Sequence, residues 1–168
     1  NGINWTGIGS TIFSSGYGVA WNGTVWIAVG QGITTTIAYS YNGINWIGLG
    51  LSIFNYGYGI GWNGNMWVAA GSGTNTLAYS YDGINWKSYY SPVLNGIIND
   101  LAWNGDHNMW LACAGDNYLN PCSNSLAYSY DGYNWIGLGT TNFQYCITAT
   151  WDGTQWLVLG AGTVFVNF

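Results

Sequence analysis

All twelve tryptophans of the 168-residue chain fall into three phased sets. Trp5, Trp46, Trp86 and Trp135 form the first, Trp21, Trp62, Trp103 and Trp151 the second, and Trp26, Trp67, Trp110 and Trp156 the third. Within the first set the intervals are 41, 40 and 49 residues. Self-similarity at a period near 40 marks a repeat architecture, in which each unit buries its apolar face only against its neighbours. Four units of about 41 residues account for the whole chain, 1–168, read as one domain. Every tryptophan is spent on the repeat, so none is left over as an obvious ligand platform.

Each unit contains four strand-like pieces. Tyr17-Gly-Val-Ala-Trp21 alternates and ends at Asn22-Gly23; Thr24-Val-Trp-Ile-Ala-Val29 returns. A Thr/Gly loop leads to Ile37-Ala-Tyr-Ser-Tyr41, and after Asn42-Gly43 comes Ile44-Asn-Trp-Ile47. Asn-Gly and Asp-Gly between alternating runs are hairpin signals, because both turn positions need positive φ. Two tight hairpins per unit and no 3.6-residue stripe predict an all-β, antiparallel chain. Four strands per repeat of this length predict a β-propeller of four blades. Small residues in the first strand of each unit (Gly16, Gly18 and Ala20; Gly57, Gly59 and Gly61) predict crowded inner strands.

The chain ends bear on closure. Asn1-Gly-Ile-Asn-Trp5 reads as a fourth strand without a third before it, and Thr163–Phe168 aligns with a third strand. Residues 1–8 are therefore expected to complete the last blade, closing the ring and covering two sheet edges. The same complementarity has a second solution, in which one molecule's last strand accepts the first strand of the next, giving a head-to-tail fibre.

Only 4% of residues are charged; Arg and Glu are absent, and the net charge is −5. A basic surface for nucleic acid cannot be built from Lys87 alone. No apolar run approaches the ~20 residues of a spanning helix, so no membrane insertion is expected. The chain opens at Asn1 without an initiator Met or a signal peptide, which reads as a processed product or a segment of something longer. Sequons at Asn4 and Asn22 and the scarcity of charge point to an extracellular, cell-surface or virion setting.

Ser80-Tyr-Asp82-Gly-Ile-Asn-Trp86 and Ser129-Tyr-Asp131-Gly-Tyr-Asn-Trp135 resemble the Asp-box (BNR-like) hairpin of sialidase-type propellers; Ser40 to Trp46 matches with Asn42 in place of Asp. The terminal copy departs further, with Asn167 and Asn1 at the Ser and Asp positions. The resemblance implies a propeller whose box joins the third and fourth strands of a blade. It marks architecture rather than activity. The tandem pattern also resembles repeat proteins of large DNA viruses and environmental microbes.

Sialidases of that type hold the substrate carboxylate with arginines, and this chain has none. Other glycosidases need two carboxyl groups facing across the substrate. Asp82, Asp131 and Asp152 sit in turns, leaving Asp100, Asp106 and Asp116, all in the third repeat. His107 lies in the turn Asn104–Asn108, where an exposed structural role is expected rather than a catalytic one. No metal site or cofactor is expected from one His and no CxxC.

The third repeat is also where regularity fails. Its extra residues fall at Lys87–Asn99 and Asp116–Ser125, two connections that emerge on one face of a propeller. Tyr89, Tyr90, Asp116, Asn117, Tyr118 and Asn120 are the candidate ligand-binding residues there. Aromatic faces stack on sugar rings while Asp and Asn exchange hydrogen bonds with hydroxyls. A surface insertion without function is the competing reading. Cys113 and Cys122 flank the insertion and form the candidate disulfide, with Cys146 left over. The Tyr39/Tyr41, Tyr79/Tyr81 and Tyr128/Tyr130 pairs are expected to pack between blades. The chain is thus expected to be a non-catalytic recognition or scaffold propeller, binding neutral glycan or a protein surface. A self-assembling fibre subunit is the alternative, and a glycoside hydrolase the more distant one.

Overall fold

The computed structural model describes residues 3–115 and 122–161, and the backbone of 163–167. It is all-β. The first sheet comprises β1 (Ser15–Trp21), β2 (Trp26–Gln31), β3 (Ile37–Ser40) and β4 (Ile47–Gly48), in that order. The second repeats it with β5 (Tyr56–Trp62), β6 (Trp67–Ser72), β7 (Leu77–Ser80) and β8 (Lys87–Tyr89). The third has β9 (Ile98–Asn104), β10 (Met109–Ala114), β11 (Leu126–Ser129) and β12 (Ile136–Gly137). Among the described residues the last has three strands, β13 (Cys146–Trp151), β14 (Trp156–Gly160) and β15 (Thr163–Asn167). All neighbours are antiparallel, and the register repeats: Trp21 faces Trp26, Trp62 faces Trp67, Trp103 faces Trp110 and Trp151 faces Trp156. These are propeller blades.

An Asn or Asp closes the first hairpin of every blade. The side-chain Oδ1 of Asn22, Asn63, Asn104 or Asp152 accepts the backbone N–H groups two and three residues on, at 2.7–3.1 Å. This Asx geometry satisfies turn donors locally. The fourth strands are shorter than the sequence predicts: β4 and β12 hold two residues each, and Ile44–Trp46 belong to the turn.

Blades join through three apolar layers. Ile27 and Val29 of the first pack with Phe54, Ile60 and Trp67 of the second. Val68 and Ala70 pack with Leu101 and Trp110 of the third. Leu111 and Cys113 pack with Ala149 and Trp156 of the fourth. The inner strands approach as their glycines predict: a Cβ at Gly18 would lie 2.9 Å from the Tyr58 carbonyl oxygen, and one at Gly59 would lie 3.1 Å from the Asp100 Cα. Gly16 differs, since a Cβ there would meet nothing within 4 Å.

Consecutive inner strands pack as a series, β1 on β5, β5 on β9 and β9 on β13. No comparable packing of β13 on β1 exists among the described residues. Residues 3–8, expected as the strand that completes the last blade, carry no strand structure, and residues 1, 2, 162 and 168 lie outside the described residues. The described blades therefore form an arc. No helix is long and apolar enough to cross a membrane among the described residues.

Candidate functional site

The three described hairpins between third and fourth strands share one Ser–Asx turn. In the second blade, Ser80 Oγ donates to Asp82 Oδ1 at 2.9 Å and accepts from the Gly83 N–H at 2.9 Å. Asp82 Oδ1 accepts from the Ile84 and Asn85 N–H groups at 2.8 and 2.7 Å, and the Trp86 indole donates to the Gly83 carbonyl at 3.0 Å. Asn42 and Asp131 organise the first and third blades in the same way. Slight burial pulls both carboxyls up, but the bonds accepted from Asn85, Ile84 and Ser80, or from Asn134, Tyr133 and Ser129, outweigh it. Asp131 is held at about 2, and Asp82 lies well below the usual carboxylate range.

At the end of β8 in the second blade, Tyr89 is half-buried in the joint between the second and third blades. Its hydroxyl donates to the Gly132 carbonyl at 2.7 Å and accepts from the Trp135 indole at 3.1 Å. Burial raises its pKa well above the tyrosine norm. Tyr90, the next residue, is 52% exposed. Asp116, Asn117, Tyr118 and Asn120 lie outside the described residues. The base of their insertion is anchored: Ser123 N–H donates to Asn95 Oδ1 at 2.8 Å, and Asn124 Nδ2 donates to the Val93 carbonyl at 2.9 Å. The two irregular connections of the third repeat thus meet, as their sequence positions predict.

The expected Cys113–Cys122 disulfide is corrected. Cys113 pairs with Cys146, with Cα atoms 4.8 Å apart, and Cys122 is a buried free thiol whose pKa burial raises. The physical reason is the blade joint: β10 and β13 press Cys113 and Cys146 into one apolar layer. Asp100, in β9, also reaches across that joint. Its Oδ2 accepts from Thr148 Oγ1 at 2.5 Å and from the Ala149 N–H at 3.3 Å, while Oδ1 accepts from the Leu101 N–H at 2.8 Å. Burial is the largest influence on Asp100 and raises its pKa despite those bonds. Asp106 accepts from the Trp151 indole at 2.9 Å, and exposed His107 lies edge-on to the same ring. His107 Nδ1 is bonded to the buried Asn104 amide at 3.0 Å.

One tyrosine of each pair packs between blades as expected, and in the second blade the other does too, since the Tyr81 hydroxyl is hydrogen-bonded to that of Tyr133 in the third. Tyr39, Tyr79 and Tyr128 pack into the blade joints, whereas Tyr41, Tyr81 and Tyr130 are about 60% exposed and stand edge-on to them. Asn4 is exposed; Asn22 is half-buried, with its Oδ1 committed to the turn. Among the described residues no three His, Cys, Asp or Glu side chains cluster as a metal site.

A further opening was not legible in the sequence. On the outer side of the first blade, a groove of about 690 Å³ is walled by Ile8, Phe13, Val19, Ile44 and Trp46. The groove lies where, among the described residues, no preceding blade packs on the first, a relation between units that no single repeat displays.

No protein-family model matches the chain, and no curated protein matches it in sequence. In fold it is similar to a chain of the nidogen/laminin complex, with a TM-score of 0.71 and 15% identity over 92% of this chain and 59% of that one. It is also similar to the GH74 enzyme of Niastella koreensis, with a TM-score of 0.65 and 21% identity over 90% of this chain and 22% of that one. A structural-genomics protein of unknown function from Bacteroides thetaiotaomicron aligns with a TM-score of 0.62 and 12% identity, over 94% of this chain and 42% of that one. These likenesses define the class of the fold: a β-propeller. The chain spans less than two thirds of each of these relatives.

Proposed function

We propose that this β-propeller is a non-catalytic recognition or scaffold module, built on Asp-box-type hairpins and working in an oxidising setting outside the cell or on a particle surface. One observation carries the reading: every described aspartate is already occupied by the fold. Asp82, Asp131 and Asp152 organise turns, Asp100 ties two blades together, and Asp106 receives an indole N–H. Carboxylates committed in this way are poorly placed for acid–base work on a substrate. The buried disulfide supports the oxidising setting, where such bonds persist.

Neutral glycan is the ligand class favoured by exposed Tyr90, on the connection to which Ser123 and Asn124 are anchored, since Tyr89 is committed to the blade joint. A glycan array with the Tyr90→Ala and Tyr118→Ala variants tests it. Binding lost in both variants is expected, and no signal above background for the unaltered chain would remove the glycan reading. A protein surface is the second reading, favoured by the similarity to a chain of a protein–protein complex. Turnover of a sugar substrate that is lost in Asp100→Asn or Asp106→Asn would replace both with an enzyme.

A further inference from the structure

The repeat allows each position to be compared across the four blades, and two faces stand out. β2, β6 and β10 are buried on both faces, whereas β14 alternates between buried and exposed residues. Ile27, Val68 and Leu111 are 0–5% exposed, but Leu157 at the equivalent place is 38% exposed. Val29, Ala70 and Cys113 are 0% exposed, and their equivalent Leu159 is 39% exposed. In every internal joint these positions cover the next blade. In the last blade they cover nothing among the described residues.

The first blade has the matching defect on its opposite side. Leu101 and Ala149 are 4–6% exposed and Ile60 is half-buried in a joint, but Val19 at the equivalent place is 59% exposed. Trp67, Trp110 and Trp156 are buried, while their equivalent Trp26 is only half-buried. Phe54 and Phe143 are 2–3% exposed, and Phe13 is half-buried beside the 690 Å³ groove. One end of the arc thus carries a covering face and the other the face that it covers. Both continue the chemistry of three joints already formed inside the molecule.

We propose that these faces bind each other between copies, so that two chains close one eight-bladed ring, at the upper end of the roughly four to eight blades that propellers use. The last blade of each copy seats Leu157 and Leu159 in the groove by Val19, Trp26 and Trp46 of its partner. The contact is heterologous and closes when the rotation of two arcs completes a circle. Half a ring fits the similarity to solved propeller chains, of which this chain spans 59% and 42% in two cases. Apolar faces left open to water favour such association.

The native disulfide supplies the test. Cys113 and Cys146 cross the third joint at positions equivalent to Leu159 and Gly16. At the first joint the same positions are Val29 and Gly57, where a Cβ on Gly57 would lie 3.0 Å from the Val29 Cβ. Gly16→Cys and Leu159→Cys are made as separate single variants in a Cys122→Ser background, mixed and oxidised. The expected result is a covalent two-chain species in the mixture and in neither variant alone, with light scattering of the unaltered chain giving twice its mass of 18.3 kDa. Val19→Asp is expected to return a folded monomer. A monomer mass without mixed cross-linking would overturn the proposal, and so would an open ladder of longer species. If the double variant instead links its own ends and stays monomeric, the arc closes on itself and the two-copy ring is wrong.

Discussion

The hydroxyl of Tyr89 stands between the Trp135 indole and the Gly132 carbonyl, accepting from one at 3.1 Å and donating to the other at 2.7 Å. In the two preceding blades the corresponding indoles of Trp46 and Trp86 reach their glycine carbonyls directly at 3.0 Å. The third hairpin is therefore held to the second blade by a side chain from outside its own repeat. Tyr89→Phe removes that relay and leaves a buried indole N–H and a carbonyl without it. A loss of about 1–3 kcal/mol follows from the desolvation of such groups, read as a shift in urea midpoint. Because burial raises the Tyr89 pKa, stability is fully present below the unfolded tyrosine value of 10.0 and falls as pH rises beyond it. Tyr89→Phe should flatten that alkaline limb.

At the acid end the turn carboxylates of the second and third blades set the response. Asp131 sits at about 2 in the fold against an ordinary value of 3.8. A depressed carboxylate contributes stability above its unfolded value, and that contribution is lost as pH falls through the folded value. The window is therefore about pH 4 down to about pH 2, with Asp82 moving in the same direction. Asp131→Asn keeps the turn, as Asn42 does in the first blade, but should flatten this part of the curve of unfolding free energy against pH. An unchanged acid limb would show that the hairpin does not set it.

Two turn glycines separate backbone strain from crowding. Gly64 has φ +93° and open space around a notional Cβ; Gly83 has φ +77°, and its Cβ would lie 2.7 Å from Ile27 Cδ1 of the preceding blade. Gly64→Ala should cost about 1 kcal/mol, as one left-handed residue does. Gly83→Ala should cost about 2–3 kcal/mol, because it also forces the joint apart. Equal losses in denaturant titrations would mean that the second hairpin does not press on its neighbour.

The repeat phase and the Asn-Gly and Asp-Gly turns carried the blade count, the strand pairs and the Ser–Asp–Trp hairpins, because each depends on residues within one unit. What they did not carry depends on contacts between units. Tyr89 looks like a free loop aromatic until Gly132 and Trp135 are brought to it. The disulfide misled by proximity in sequence, although a signal was present: Cys113 lies three residues after its tryptophan and Cys146 five before its own. Those are the positions that Val29 and Gly57 occupy at the first joint. Closure was the least legible feature, since residues 1–8 read as a strand by repeat phase but carry no strand structure over residues 3–8.

The Cys113–Cys146 bond is therefore best understood as a strap across a blade joint, and its removal should be felt by the whole last blade. It closes a loop over a sequence separation of 33 residues. The chain-entropy relation then gives a stabilisation of about 3–4 kcal/mol. Replacing both cysteines by alanine should lower the melting temperature by roughly 10 °C, given about 2–4 °C per kcal/mol for chains of this size. A reductant should bring the unaltered protein down to the same value and leave the double variant where it is. Cys122→Ala leaves the strap intact, so the drop on reduction should persist in that variant. A reduction-sensitive melting temperature that survives in Cys146→Ala but vanishes in Cys122→Ala would show that Cys122, not Cys146, is the working partner of Cys113.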